Sequence, residues 1–371
     1  MARVLLAGGG TAGHVEPALN LADVIRERDP GASITFVGTE RGLESRLVPE
    51  RGYELELIPA IPMPRRLNRD VVALPPRLRQ GMKNVRGVIH RRRIDVVVGF
   101  GGYVSMPAYF AARGRCPLVI HEANAKAGLA NRVGAMFTSY VAQAVDGSLP
   151  NAVTLGIPLR QAIVSLDRAA KRDEARAEFG LDPDRPCLFV FGGSQGARRI
   201  NEAVIAAAPG IIGAGMQILH AIGPSNADQV GNDVTTRLGP RYRALSYVGR
   251  MDLAYSAADL AMCRAGAMTC AELAAVGLPA IYVPLPIGNG EQRLNALPTV
   301  AAGGGEIMAD SEMSAAHVEQ AVIRLLLDPH ALKRMSDAAA SQGVRDAGER
   351  LADMVDAAIA AAQTKKQGRS A

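Results

Sequence analysis

The sequence contains no tryptophan, and aromatic residues make up only 4% of its 371 residues. That scarcity argues against an aromatic-cored β-sandwich. Cysteine is sparse too. Cys116, Cys187, Cys263 and Cys270 form no C-x-x-C pair and no zinc spacing, so reduced thiols in a cytosolic protein are expected. Unbroken hydrophobic runs are missing as well. The longest uncharged stretch, residues 203–227, is interrupted by Pro209, Gly210, Gly213, Gly215, Gly223 and Pro224. It reads as helix, turn and buried strand rather than as a bilayer span. The opening apolar run ends at Ala7 and enters glycines directly, which excludes a secretory signal there. A soluble protein without a transmembrane anchor is expected.

What the chain has in quantity is glycine, 39 residues, within a composition that is 48% hydrophobic and 21% charged. Such a balance excludes a disordered or fibrous chain and suits a glycine-rich α/β enzyme. The length suits two domains. The net charge of +6 is uneven: residues 1–157 hold 20 Lys and Arg against 13 Asp and Glu, so the first half carries all the basicity.

Apolar strands alternate with helical stretches. Val4–Ala7, Ser33–Val37, Tyr53–Ile58, Val96–Val98, Leu118–Ile120 and Tyr140–Ala142 read as strands of a parallel sheet covered on both faces. After Leu155-Gly156-Ile157-Pro158 and a charged helical stretch the pattern restarts, with strands at Leu188–Phe191, Ile218–Ala221, Ala244–Val248, Leu260–Cys263 and Ala280–Val283. Both halves open with a strand that enters a glycine turn and a helix. The expected fold is α/β, two doubly wound Rossmann-like domains facing a cleft. The expected domains are residues 1–157, residues 158–345, and a final segment, 346–371, that begins with an amphipathic helix.

Chemistry is expected where strands end. Gly8-Gly9-Gly10-Thr11-Ala12-Gly13-His14 lets backbone N–H groups approach a polar or anionic ligand at a helix N-terminus. It is not a dinucleotide signature, because no clear acidic ribose partner closes the second strand; Gly38-Thr39-Glu40 is a weak substitute. Gly192-Gly193-Ser194-Gln195-Gly196-Ala197 repeats the device, and Gly101-Gly102-Tyr103-Val104-Ser105 is a third glycine turn. His121-Glu122-Ala123-Asn124 follows another strand, with Asn131 in the next helix; a purely structural His–Glu pair is the competing reading. In Arg264-Ala265-Gly266-Ala267-Met268-Thr269-Cys270-Ala271-Glu272, a new helix could take phosphate while Glu272 accepts ribose hydroxyls, unless Glu272 serves only as a helix-start acid. Glu291-Gln292-Arg293-Leu294-Asn295-Ala296 puts amides and a carboxylate at one more helix start, suited to sugar hydroxyls. The single D-x-D, Asp182-Pro183-Asp184, reads as a turn rather than a metal site.

Taken in order, GGGTAGH, GFGGYVS, HEAN…GLAN, GGSQGA, RAGAMTCAE and EQRLNA resemble the MurG family, GT-B glycosyltransferases of peptidoglycan synthesis, from about residue 3 to residue 360. The resemblance implies inverting transfer of N-acetylglucosamine from UDP-GlcNAc to the C4 hydroxyl of the muramyl residue of lipid I, giving lipid II. It implies that Thr11, Ala12 and Gly13 border the donor, with His14 as base or as orienter of the acceptor. Asn124 would contact the donor sugar, and Arg160 and Ser194 would lie near the uridine diphosphate. Val248 would offer backbone contacts to uracil, Ala267, Met268 and Thr269 would face phosphate, Glu272 would hold ribose, and Gln292 would address GlcNAc hydroxyls. No metal or cofactor is implied. The final helix would return to the first domain. Cell-wall and division proteins are candidate partners, at the cytoplasmic face of the membrane. Where relatives often have two adjacent glutamines this chain has Glu291-Gln292, so the first amide contact is in question; Ala12 stands where they often have glycine, and Ala123 where they often have glutamine.

The base is left open between His14 and the pair His121 and Glu122, and Arg160 or Arg264 could supply cationic charge to the leaving group. Rival readings are another GT-B enzyme for a UDP-sugar, a UDP-GlcNAc 2-epimerase, a non-catalytic nucleotide-sugar module, and an NAD dehydrogenase. Residues 65–93 hold ten basic groups and one acid, Asp70, interleaved with apolar positions such as Leu78, Met82, Val85 and Ile89. Without aromatic stacking residues, this segment suits an anionic membrane surface better than nucleic acid. An ordinary surface helix with its apolar stripe on the sheet is the alternative.

Overall fold

In the computed structural model, which describes residues 1–59, 70–193, 196–229, 232–287 and 289–370, the apolar runs become strands. Those of the first half are β1 (Arg3–Gly8), β2 (Ser33–Gly38), β3 (Glu54–Leu57), β4 (Val96–Gly101), β5 (Leu118–Glu122), β6 (Tyr140–Gln143) and β7 (Val153–Thr154). They pair in parallel in the order β3-β2-β1-β4-β5-β6-β7. The second half contributes β8 (Cys187–Phe191), β9 (Gln217–Ala221), β10 (Tyr242–Leu245), β11 (Leu260–Cys263), β12 (Ala280–Tyr282) and β13 (Gly305–Ile307), parallel in the order β10-β9-β8-β11-β12-β13.

The chain divides into two compact units, Met1–Leu159 with Arg345–Ala371, and Arg160–Val344. In the first unit, side chains of β1 alternate between two apolar layers, as the period of two requires. Val4 and Leu6 pack with the layer that contains Val15, Leu19 and Ala22 of the helix Ala12–Arg28. Leu5 and Ala7 pack with the other layer, which contains Val85, Val88 and Ile89 of the helix Asp70–Arg91. Burial on both faces is why this strand is an unbroken apolar run. The C-terminal helix, Ala347–Ser370, belongs to the first layer. Its Leu351, Ala352, Val355 and Ala358 form a helical stripe that is almost wholly buried there, and Arg28 pairs with its Glu349 and Asp353.

Two strands are additional to those expected, and one is displaced. β7 and β13 have no apolar run to announce them: β7 is two exposed residues, and β13 opens with a glycine. β10 begins at Tyr242, two residues before the expected start, because the Tyr242 ring is buried against His220. In each sheet the strand order reverses beside the first strand, next to β4 in one and β11 in the other. Crevices beyond the carboxyl ends of β1 and β4, and of β8 and β11, are the places where such sheets take ligands.

Candidate active site

In the first unit, β1 ends at Gly8 and the helix Ala12–Arg28 starts after Thr11, so Thr11, Ala12 and Gly13 lie at a helix N-terminus. His14 is the third residue of that helix. Its Nδ1 is 3.1 Å from Thr11 Oγ1. Its ring lies against the backbone of Gly101, where a Cβ would sit 3.1 Å from His14 Cδ2. Gly102, at φ +84°, presses on the first turn so closely that a Cβ would be 2.2 Å from the Gly9 carbonyl oxygen. The motifs GGGTAGH and GFGGYVS are therefore two halves of one backbone-to-backbone contact. Burial pushes the His14 imidazole below its ordinary pKa of 6.5, opposed by the charges of Glu122 and Glu44 and by the Gly9 carbonyl. A lowered pKa keeps the ring neutral at pH 7, the form that accepts a proton.

Sequence reasoning missed Glu44. Its side chain is fully buried at the start of the helix Glu44–Glu50. Oε2 accepts from Gly10 N at 2.8 Å, and Oε1 accepts from Thr39 N at 2.9 Å and Thr39 Oγ1 at 3.0 Å. One carboxylate thus fastens the turn after β1 to the end of β2. The signal in the sequence is the glycine pair that makes room for it: a Cβ at Gly38 or Gly42 would lie within 2.4 Å of the Glu44 side chain.

The structure encloses His121. It has no exposed surface, its Nε2 is 2.7 Å from the Gly156 carbonyl oxygen, and its ring lies 5.5 Å from that of Phe100. Burial also lowers the pKa of its imidazole. Glu122, 2% exposed, braces a loop. Its oxygens accept from Asn124 N and Asn131 Nδ2 at 2.9 Å and from Gly128 N at 3.0 Å. Asn131 in turn accepts from Tyr109 Oη at 2.6 Å. This chain of bonds fixes Asn124, which is half-exposed at the end of β5.

In the second unit, Gly266 precedes the helix Ala267–Val276, so Ala267, Met268 and Thr269 form its partly exposed first turn. Glu272 is the sixth residue of that helix, too far along to act as a helix-start acid. It is 5% exposed, and both oxygens are engaged: Arg160 Nη2 donates to Oε1 at 2.9 Å and Tyr255 Oη to Oε2 at 2.7 Å. Val248 is buried in the loop after β10. Gln292, second in the helix Glu291–Ala301, uses its amide oxygen to accept from Leu285 N at 3.0 Å, bracing the loop before it, while Glu291 accepts from Asn289 N. Arg264 pairs with Asp310 at 2.6 Å and donates to the Val283 carbonyl. Asp182 accepts from Asp184 N and pairs with Arg185, which is turn chemistry. Ser194 lies outside the described residues. In the same turn, Gly196 at φ +77° passes so close to the Ile222 carbonyl oxygen that a Cβ would be 2.2 Å away.

The basic segment divides in two. Residues 60–69, with Arg65, Arg66 and Arg69, lie outside the described residues. On the helix Asp70–Arg91, Val85, Val88 and Ile89 of the apolar stripe are buried against the sheet. Arg91 pairs with Glu56, and Arg92 with Glu54 and Glu56. Arg77, Arg79, Lys83 and Arg86 are exposed. Among the described residues, no helix is long and apolar enough to cross a membrane, and no cluster of three His, Cys, Asp or Glu could hold a metal ion.

Residues 4–143 match the glycosyltransferase family 28 N-terminal domain, and residues 187–351 match the C-terminal domain of the same family. A relative from Acidothermus cellulolyticus is 57% identical over 363 residues, covering 96% of this chain and 98% of its own. One from Streptomyces coelicolor is 57% identical over 360 residues, covering 96% and 98%. Both are named UDP-N-acetylglucosamine--N-acetylmuramyl-(pentapeptide) pyrophosphoryl-undecaprenol N-acetylglucosamine transferase. The chain belongs to the MurG family of glycosyltransferases. The crystal structure of Acinetobacter baumannii MurG resembles it with a TM-score of 0.77 at 27% identity, covering 96% of this chain and 99% of that one. The match spans both units, and hence both glycine-turn crevices.

Proposed function

We propose that this protein transfers N-acetylglucosamine from UDP-GlcNAc to the C4 hydroxyl of the muramyl residue of lipid I, with inversion, to give lipid II. The observation that carries this reading is the likeness to full-length MurG relatives, which runs through the strand-end motifs of both units. The second unit would hold the donor. Glu272 accepts ribose hydroxyls, the first turn at Ala267, Met268 and Thr269 faces the diphosphate with Arg160 and Ser194, Val248 meets uracil through its backbone, and Gln292 meets the sugar. On the first unit, the family resemblance assigns Thr11, Ala12, Gly13 and Asn124 to donor contacts and His14 to the role of base.

His14 is the base the geometry favours: burial lowers its pKa, and it is partly exposed and seated at a glycine turn, whereas His121 is enclosed. As the C4 oxygen attacks the anomeric carbon, its proton passes to the imidazole and the bond to UDP breaks. Backbone N–H groups at a helix N-terminus stabilise the departing phosphate without reorganising. Acceptor access would come from peripheral contact with an anionic membrane at the cytoplasmic face through Arg77, Arg79, Lys83 and Arg86, where a polyprenyl-linked acceptor resides. A cell-wall or division complex would be a natural setting. The test is UDP release from UDP-GlcNAc with and without a lipid I analogue, with UDP-galactose as control. Release that requires both UDP-GlcNAc and the acceptor is expected. N-acetylmannosamine formed without acceptor would instead support an epimerase.

A further inference from the structure

We infer that Tyr255 is a positioning residue that sets the Glu272 carboxylate for the donor's ribose, holding its inner oxygen while Arg160 holds the outer one until a ligand arrives. The inference rests on the reading of Glu272 as the ribose acceptor. A glutamate side chain has three rotatable bonds, and a carboxylate ordered only when the ligand binds would lose affinity to that ordering. Tyr255 removes much of this freedom in advance. Its hydroxyl donates to Glu272 Oε2 at 2.7 Å.

The hydroxyl is itself held in place by the core. Tyr255 has no exposed surface and lies on the helix Met251–Ala257. Its ring packs 6.2 Å from Phe189 and 6.1 Å from Phe191, whose own rings stack at 4.6 Å. Both phenylalanines belong to β8, the strand beside the crevice. Burial and the neighbouring Glu272 charge push the phenol far above its ordinary pKa of 10, so it remains a donor at every working pH. The other side of the carboxylate is built differently. The side chain of Arg160 is 32% exposed whereas Tyr255 is enclosed, so the partner of Oε1 has room to swing toward solvent or phosphate and the partner of Oε2 does not. Ribose hydroxyls would then meet a carboxylate of fixed plane whose outer oxygen has been vacated by arginine.

The test is Tyr255→Phe, which keeps the ring that fills the core and deletes only the hydroxyl. Calorimetry would measure UDP and 2′-deoxy-UDP binding to wild type, Tyr255→Phe and Glu272→Ala, with donor KM and kcat measured alongside. UDP affinity should fall roughly three- to tenfold in Tyr255→Phe, the loss of one hydrogen bond's worth of positioning. The affinity for 2′-deoxy-UDP should fall less, so the ratio of the two narrows; donor KM should rise by a similar factor and kcat should change less than about twofold. Equal losses for both ligands would mark Tyr255 as merely structural and overturn the inference. So would an unchanged ratio in Tyr255→Phe when Glu272→Ala abolishes the preference. If Glu272→Ala itself leaves the ratio intact, the ribose reading fails first and the role of Tyr255 falls with it.

Discussion

Glu44 offers the sharpest test of how the first glycine turn is held. Its buried carboxylate accepts from Gly10 N, Thr39 N and Thr39 Oγ1, so Glu44→Ala deprives three donors of their acceptor. Hydrogen bonds to charged groups contribute about 1.5–3 kcal/mol each, which makes the gross loss roughly 5–9 kcal/mol. Removing the carboxylate also removes its own desolvation penalty of several kcal/mol. The expected net destabilisation is about 2–4 kcal/mol, a large share of the roughly 5–15 kcal/mol that holds an ordinary domain. Glu44→Gln keeps the shape but can turn its NH2 toward N–H donors, and should lose about 1–3 kcal/mol. Urea unfolding would read both. Turnover should fall in step, because His14 rides on the turn that Glu44 fastens, while UDP binding should persist. A Glu44→Gln protein with wild-type midpoint and wild-type turnover would refute this account.

Three further outcomes are expected. Glu272→Ala should lose roughly ten- to a hundredfold in UDP affinity by calorimetry, the value of a charged hydrogen bond to ribose; unchanged binding in the folded variant would remove that role. His14→Ala should lower kcat by about 10²–10⁴ with much smaller change in UDP-GlcNAc binding. Because the folded-state pKa of His14 lies below 6.5, the ring stays a competent base as pH falls past 6.5, so the acid limb of kcat/KM should lie below that value; a limb above it would point to another group. Replacing Arg77, Arg79, Lys83 and Arg86 with glutamine should nearly abolish binding to anionic vesicles, each basic group being worth roughly 1 kcal/mol at such a surface. Replacing Arg91 and Arg92, already paired with Glu56 and Glu54, should matter less. Vesicle sedimentation across a salt series would separate the two sets.

Fold class and the position of each strand-end motif were legible in the order of residues. Runs such as Val4–Ala7 and Leu188–Phe191 are legible because a strand buried on both faces must be apolar throughout, and glycine turns are legible because only glycine permits their close backbone contacts. Local pattern could not say which polar groups end up facing a substrate. His121 and His14 look alike as imidazoles after a strand, yet one is enclosed against Phe100 and Gly156 while the other lies half-exposed against Gly101. Glu44 bonds across 34 residues to Gly10, and Tyr255 and Arg160 converge on Glu272 from 17 and 112 residues away. Contacts of that separation leave no periodic trace in a single chain. The basic helix makes the same point: its charges are countable, but only packing decides that Val85, Val88 and Ile89 turn to the sheet and that Glu54 and Glu56 neutralise its C-terminal end. Burial and long-range hydrogen bonding, which only the tertiary structure sets, separate groups that can meet a ligand from groups that hold the fold.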